Sequence, residues 1–212
     1  MLNLPKSTEM SKQLPKKAVY AKFQMNTAAK EKIDADISRI TIVNEITPAK
    51  INIPAGEEVG SFFVLLVALK KKDFDERTIV TLSKLIPQNI LFVLEFEGQS
   101  KLAIYHTKLM QTDWNPTESC TIELRGLNLD KVWENIIKSL ELGVWNEELS
   151  LDENLALHQK QDKLKKEIDK LEKQARAEKQ PKKKFELAGK VKKLKEELKQ
   201  MSVDNNGGKT NG

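Results

Sequence analysis

Ser61-Phe-Phe-Val-Leu-Leu-Val-Ala-Leu69 is apolar on both of its alternation phases. A strand with that pattern is covered on both faces and belongs at the centre of a sheet. It is also the longest apolar run in 212 residues. A membrane-spanning helix needs about 20 apolar residues, so this run does not cross a bilayer. Around it the chain alternates helical and extended patterns. Ala28 to Ser38 carries Ile33 and Ile37 four apart, with Thr27 as the N-cap. Arg39 to Ile46 is rich in β-branched residues and ends at Thr47-Pro48. Asp73-Phe-Asp-Glu76 opens a helix through Leu85, with Ile79, Leu82 and Ile86 on one face, and Pro87 stops it. Asn89 to Phe96 and Lys101 to Thr107 flank Glu97-Gly-Gln-Ser100, a β-hairpin with a glycine turn. A further strand is expected over Cys120 to Arg125. A helix follows over Leu129 to Leu140, with Val132, Trp133, Ile136, Ile137 and Leu140 inward.

The order predicts an α+β domain over residues 17–142, built on a mixed β-sheet of about five strands with helices packed on it. Residues 1–16, with Pro5 and Pro15, read as an N-terminal arm in which Ser7 or Thr8 caps one or two turns through Leu14. Residues 143–156 read as a linker, and 203–212 as a disordered tail.

Between them, residues 157–202 carry two helical seams. Leu157, Leu164, Ile168, Leu171 and Ala175 form the first; Leu187, Val191, Leu194, Leu198 and Met201 form the second. The spacings of three, four and seven place each set on one helical stripe. Pro181 lies between them and suits a first helical position. From Ala175 to Val191 is sixteen residues, so the two runs are out of heptad register. The segment therefore reads as an antiparallel helical hairpin, a coiled coil, with a basic tip. Leu164, Ile168, Leu171, Val191, Leu194 and Leu198 are its candidate partner-binding positions.

The charge is uneven. Residues 158–200 hold sixteen Lys or Arg against eight Asp or Glu, a net +8 where the whole chain is +5. The rest is therefore about −3. A basic segment on a mildly acidic protein suits an acidic partner. Lys182, Lys183, Lys184, Lys190, Lys192 and Lys193 crowd the second arm with only Glu186 among them, and are the candidate nucleic-acid-binding residues. Phe185 is the only aromatic nearby, which does not by itself indicate base stacking.

Catalytic constellations are sparse. No phosphate-binding glycine loop, nucleophile elbow or HExxH pattern occurs. Of two histidines, His158 reads as a solvated side chain in a charged helix, and His106 could approach Glu95, Glu97 or Asp113. Glu95 and Glu97 on a strand end, with Lys101 past the turn, are the weak candidates for a divergent metal-dependent nuclease. The single Cys120 excludes an internal disulfide and reads as a small buried residue. No secretory hydrophobic region is seen at Met1-Leu-Asn-Leu-Pro-Lys6, so a soluble, cytoplasmic protein is expected, with no cofactor and no membrane partner.

Leu14-Pro-Lys-Lys17, Leu85-Ile-Pro-Gln-Asn-Ile-Leu-Phe92 with Lys101-Leu-Ala-Ile104, and the lysine-rich arms around Glu178-Lys-Gln180 resemble the uncharacterised domain-of-unknown-function 4391 family of bacteria and archaea. The resemblance implies a place beside a DNA methyltransferase or helicase in a restriction or phage-defence assembly. It brings no active site with it. The expected function is a non-enzymatic accessory or adaptor subunit. The alternatives are a homodimerising scaffold through the same hairpin and the divergent nuclease.

Overall fold

The computed structural model describes residues 2–140 and 145–206, with side chains as far as Met201. The chain forms two compact units, Met1–Leu142 and Gly143–Gly212.

The first unit is α+β. Its sheet runs in the order β1 (Glu9–Gln13), β2 (Ile37–Ile46), β3 (Phe62–Leu69), β4 (Asn89–Phe96), β5 (Gln99–Tyr105), β6 (Leu109–Gln111), with β7 (Asn115–Pro116) also on β5. The sheet is mixed: β3 pairs antiparallel with β2 but parallel with β4. The parallel connection passes through α4 (Glu76–Leu85), which begins where the Asp75 carboxylate accepts the Arg77 N–H at 3.0 Å. β3, doubly apolar in sequence, is central as expected.

Both faces are covered. Leu65 and Val67 of β3, with Ile90, Phe92 and Leu94 of β4, share a core with Val19 and Tyr20 of α1 (Lys16–Lys22), Ile33 of α2 (Thr27–Asp36), and Ile79 and Leu82 of α4. On the opposite face Phe62 meets Trp133 of α5 (Leu129–Leu140), ring centroids 5.0 Å apart. Val132, Trp133, Ile136, Ile137 and Leu140 are all buried there. The single turn α3 (Pro48–Ile51) follows β2.

Several expectations are corrected. Residues 1–16 are part of the sheet unit. Leu2 is buried and its carbonyl accepts the Ile122 N–H at 3.1 Å; a 3-10 turn spans Lys6–Thr8, and β1 then pairs with β2. Hydrogen bonding to the free edge of β2 satisfies this backbone better than an isolated helical turn. Asn26, not Thr27, caps α2, its side-chain oxygen accepting the Ala29 N–H at 2.8 Å. The strand expected over Cys120 to Arg125 does not form: Thr121 makes one bridge to Leu2, and Cys120 follows a 3-10 turn over Thr117–Ser119. The edge of β5 is already occupied by β6 and β7.

The second unit holds α6 (Leu151–Ala177) and α7 (Pro181–Asn206). α6 starts inside the expected linker because Ser150 and Glu153 form a reciprocal capping box. Asn154, 1% exposed, fastens that first turn: its amide donates to the carbonyls of Asn146, Leu149 and Ser150, and its oxygen accepts the Asn146 N–H. α7 starts on Pro181, as expected, and runs through 203–206 of the expected tail; 207–212 lie outside the described residues. No helix among the described residues is long and apolar enough to cross a membrane.

Candidate nucleic-acid interface

Glu178, Lys179 and Gln180 alone separate α6 from α7, and the two helices lie against each other. A three-residue connection forces contacting helices antiparallel. Two ion pairs agree, Lys160–Glu197 at 3.8 Å and Lys195–Glu172 at 2.6 Å, the higher α6 number meeting the lower α7 number. The apolar runs mirror one another about the loop: Leu164 with Leu198, Ile168 with Leu194, Leu171 with Val191, and Ala175 with Leu187 keep one constant sum of residue numbers. Leu164, Ile168 and Val191 are buried, and Leu171, Leu194 and Leu198 half-buried. The six apolar positions expected to meet a partner thus form the seam of this pair.

Outside the seam α7 is a different surface, on which Lys182, Lys192 and Lys193 lie opposite the seam and Lys183, Lys184 and Lys190 flank it. Lys182, Lys183, Lys184, Lys190, Lys192 and Lys193 are all exposed, and none forms an ion pair among the described residues. Some lysines elsewhere on the pair are matched, as in Lys173–Asp169 at 2.7 Å and Lys195–Glu172. The loop is charged too: Gln180 donates its N–H to Glu178 at 2.8 Å, and that bond holds the Glu178 carboxyl below its ordinary range. Phe185, flanked by these lysines, is 82% exposed. At 100° per residue, Phe185, Gly189 and Lys192 share one stripe, turned away from Leu187, Val191, Leu194 and Leu198. The surface offers several ammonium groups spread over about three helical turns, with one aromatic face among them. Such an array contacts phosphates without reading base edges.

The candidate nuclease residues do not converge. In the β4–β5 hairpin Glu95 faces Ser100, and Leu94 faces Lys101. Side chains alternate across a strand, so Lys101 projects on the face opposite Glu95. Glu97 is a turn residue with φ 48°, and the Glu95 carboxylate accepts the Gly98 N–H at 3.1 Å, supporting the turn. Lys101 instead donates to Gln111 at 3.0 Å and lies over the rings of Trp114 and Phe74, 5.4 Å and 6.0 Å from their centroids. Burial pulls its ammonium pKa down, against the nearby carboxylates of Glu76 and Asp113. Lys72 covers the same Trp114 ring at 5.5 Å and donates to Gln99 at 2.7 Å. Lys101 is a packing and hydrogen-bonding residue of the α4 side of the sheet.

The histidines are also placed differently. His106 lies just past Tyr105 at the far end of β5 from the turn, six to seven residues or about 20 Å along a strand, so it does not approach Glu95 or Glu97. His158 is buried, 4% exposed, with its ring 4.9 Å from Trp145 in an edge arrangement. It is not the solvated side chain that its charged surroundings suggest, because the Trp145 ring packs against it. Cys120 is buried, and burial pushes its thiol pKa up, which suits a packing role and not a nucleophile. No group of three or more His, Cys, Asp or Glu able to hold a metal ion occurs among the described residues.

The model of a family described as "Domain of unknown function (DUF4391)" matches residues 2–198, nearly the whole chain, and the chain belongs to that family. No curated protein and no solved structure matches it.

Proposed function

Starting from that membership and from the surface of α7, we propose that the chain is a non-enzymatic accessory subunit of a DNA-processing assembly of restriction or phage-defence type. In this reading the α6–α7 pair is a coiled-coil prop whose lysine-bearing surface around α7 rests on nucleic-acid phosphates. The supporting observation is the set of six exposed lysines, Lys182, Lys183, Lys184, Lys190, Lys192 and Lys193, without a carboxylate partner. Six like charges within about 17 Å of helix repel one another, and a polyanion relieves that repulsion while releasing counterions. Because the seam residues are turned inward, a helicase or DNA methyltransferase partner would dock elsewhere than on Leu164, Ile168 or Val191. The separation of Glu95 from Lys101 by the sheet itself favours binding over cleavage.

The test is anisotropy of a labelled DNA duplex titrated with the full chain at several salt concentrations. Six phosphate contacts give a slope of log K against log salt of about −5. Replacing the six lysines with glutamine should abolish most of that slope while leaving the far-ultraviolet circular dichroism unchanged. A salt-independent affinity, or a six-glutamine variant that binds like the parent, would exclude phosphate contact by this face. The accessory role is tested separately by native-source co-purification, where recovery of neither helicase nor methyltransferase counts against it.

A further inference from the structure

Under α1 the first unit holds a hollow of about 310 Å³ that no sequence motif marks. Pro15 and Ala18 of the α1 segment roof it; Phe63 and Leu65 of β3 and Ile90 of β4 floor it; the end of α4, at Ile86 and Gln88, closes one side. Five of its apolar side chains, Leu14, Phe23, Ile42, Phe63 and Ile86, are only half-buried although each packs against the core. They come from five separate segments, so their exposed portions meet only because the fold brings them to one concavity. Interiors close over such surface wherever the chain allows. A concavity of this size, apolar within and polar at few points, has the character of a small-molecule site.

The polar points all carry one sign or none. Lys12 and Lys22 stand at the mouth, both exposed and neither in an ion pair among the described residues, and Gln88 is the only other polar liner. Lys16, between them in sequence, is matched instead, bridging Asp34 at 2.5 Å and donating to the Ile37 carbonyl at 2.9 Å. The Lys22 ammonium sits 5.4 Å from the Phe23 ring centroid, at the boundary between the apolar wall and water. No carboxylate lines the hollow.

We infer that this hollow binds an amphiphile with an apolar chain and one anionic head, a medium-chain acyl carboxylate in its simplest form. The chain replaces water against Phe23, Ile42, Phe63 and Ile86, and the head lies between Lys12 and Lys22. A nucleotide does not fit, for the interior has no donors to read a base or hold a ribose. A cationic amphiphile is repelled at the mouth.

Decanoate, kept below its micellar concentration, is the probe, titrated calorimetrically into the full chain. Saturable one-to-one binding is expected, with the methyl resonances of Ile42 and Ile86 shifting and those of Ile136 in α5 unmoved. Ala18→Phe, at an exposed position that points a ring into the hollow's roof, should weaken decanoate at least about tenfold. Lys12→Gln with Lys22→Gln, both surface changes, should weaken decanoate about tenfold and leave 1-decanol unaffected. The six-glutamine variant of α7 should bind decanoate like the parent, which separates this site from the phosphate-binding face. Absence of saturable binding, equal affinity for decyltrimethylammonium, or decanoate binding indifferent to both sets of variants overturns the assignment. So does a dimer of the chain that Ala18→Phe dissociates, which would give the hollow to a second copy.

Discussion

Thr8 is completely buried in an otherwise exposed stretch, and Asn44 beside it is 4% exposed. The Thr8 hydroxyl donates to the Pro5 carbonyl at 2.7 Å and accepts from the Asn44 amide at 2.9 Å. Thr8→Val keeps the shape but leaves that amide without its acceptor, and urea unfolding should show a loss of about 1–3 kcal/mol. A second long-range tie is Asp130, whose carboxylate accepts the backbone N–H groups of Glu57, Glu58 and Val59 at 2.8, 3.2 and 2.7 Å. Burial pushes its pKa up, but the three donors and Lys131 outweigh that and hold it below the ordinary carboxylate range. A carboxyl with a depressed folded pKa gives its full stabilisation above the unfolded value and loses it as pH falls through the folded one. Thermal midpoints of the parent should therefore drop as the pH is lowered below about 4, and Asp130→Asn should flatten that acid limb while lowering the neutral midpoint. Gly56 belongs to the same tie, since a Cβ there would sit 2.0 Å from an Asp130 oxygen; Gly56→Ala must displace the carboxylate and should destabilise the unit. Neither tie is visible in sequence, because Thr8 and Asn44 are 36 residues apart and Asp130 and Val59 are 71.

Elements were legible where periodicity is strong and long. The doubly apolar run from Phe62 to Leu69, the Glu97–Gly98 turn and the α5 stripe all form where hydrophobic spacing and turn chemistry put them. In the turn Glu97 and Gly98 take φ of 48° and 77°, the pair of positive values that a two-residue hairpin connection needs. Gly98→Ala should destabilise the hairpin by about 1 kcal/mol, read as a lower denaturation midpoint, because a Cβ is strained at that φ. What the pattern missed were short elements: β1, α1, β6 and β7 are two to seven residues long and exist because a neighbour's edge or face is available. In the second unit the seam residues set helix pairing, and a single methyl-bearing change shows it. Ile168→Ala, at a position 8% exposed, should lower the stability of the helical pair by about 2 kcal/mol in a chemical melt followed at 222 nm.

At the scale of the whole molecule, the proposed phosphate-binding lysines belong to the second unit and the hollow to the first. Replacing the six α7 lysines with glutamine changes exposed, unpaired groups only, so the unfolding midpoint of the sheet unit should stay within about 0.5 kcal/mol of the parent while DNA affinity collapses. The sequence by itself determined the α+β class, the central strand, the two-armed basic segment and the helix start at Pro181. These rest on local quantities, namely apolar period, proline geometry and charge density, that a chain carries before it folds. Only the tertiary structure decided that Lys101 faces away from Glu95, that His158 is buried, that residues 1–16 complete a sheet, and that Leu14, Phe23, Ile42, Phe63 and Ile86 surround one hollow. Strand register, edge occupancy and cavity shape are set by which distant segments meet, and no window of sequence holds both partners of such a contact.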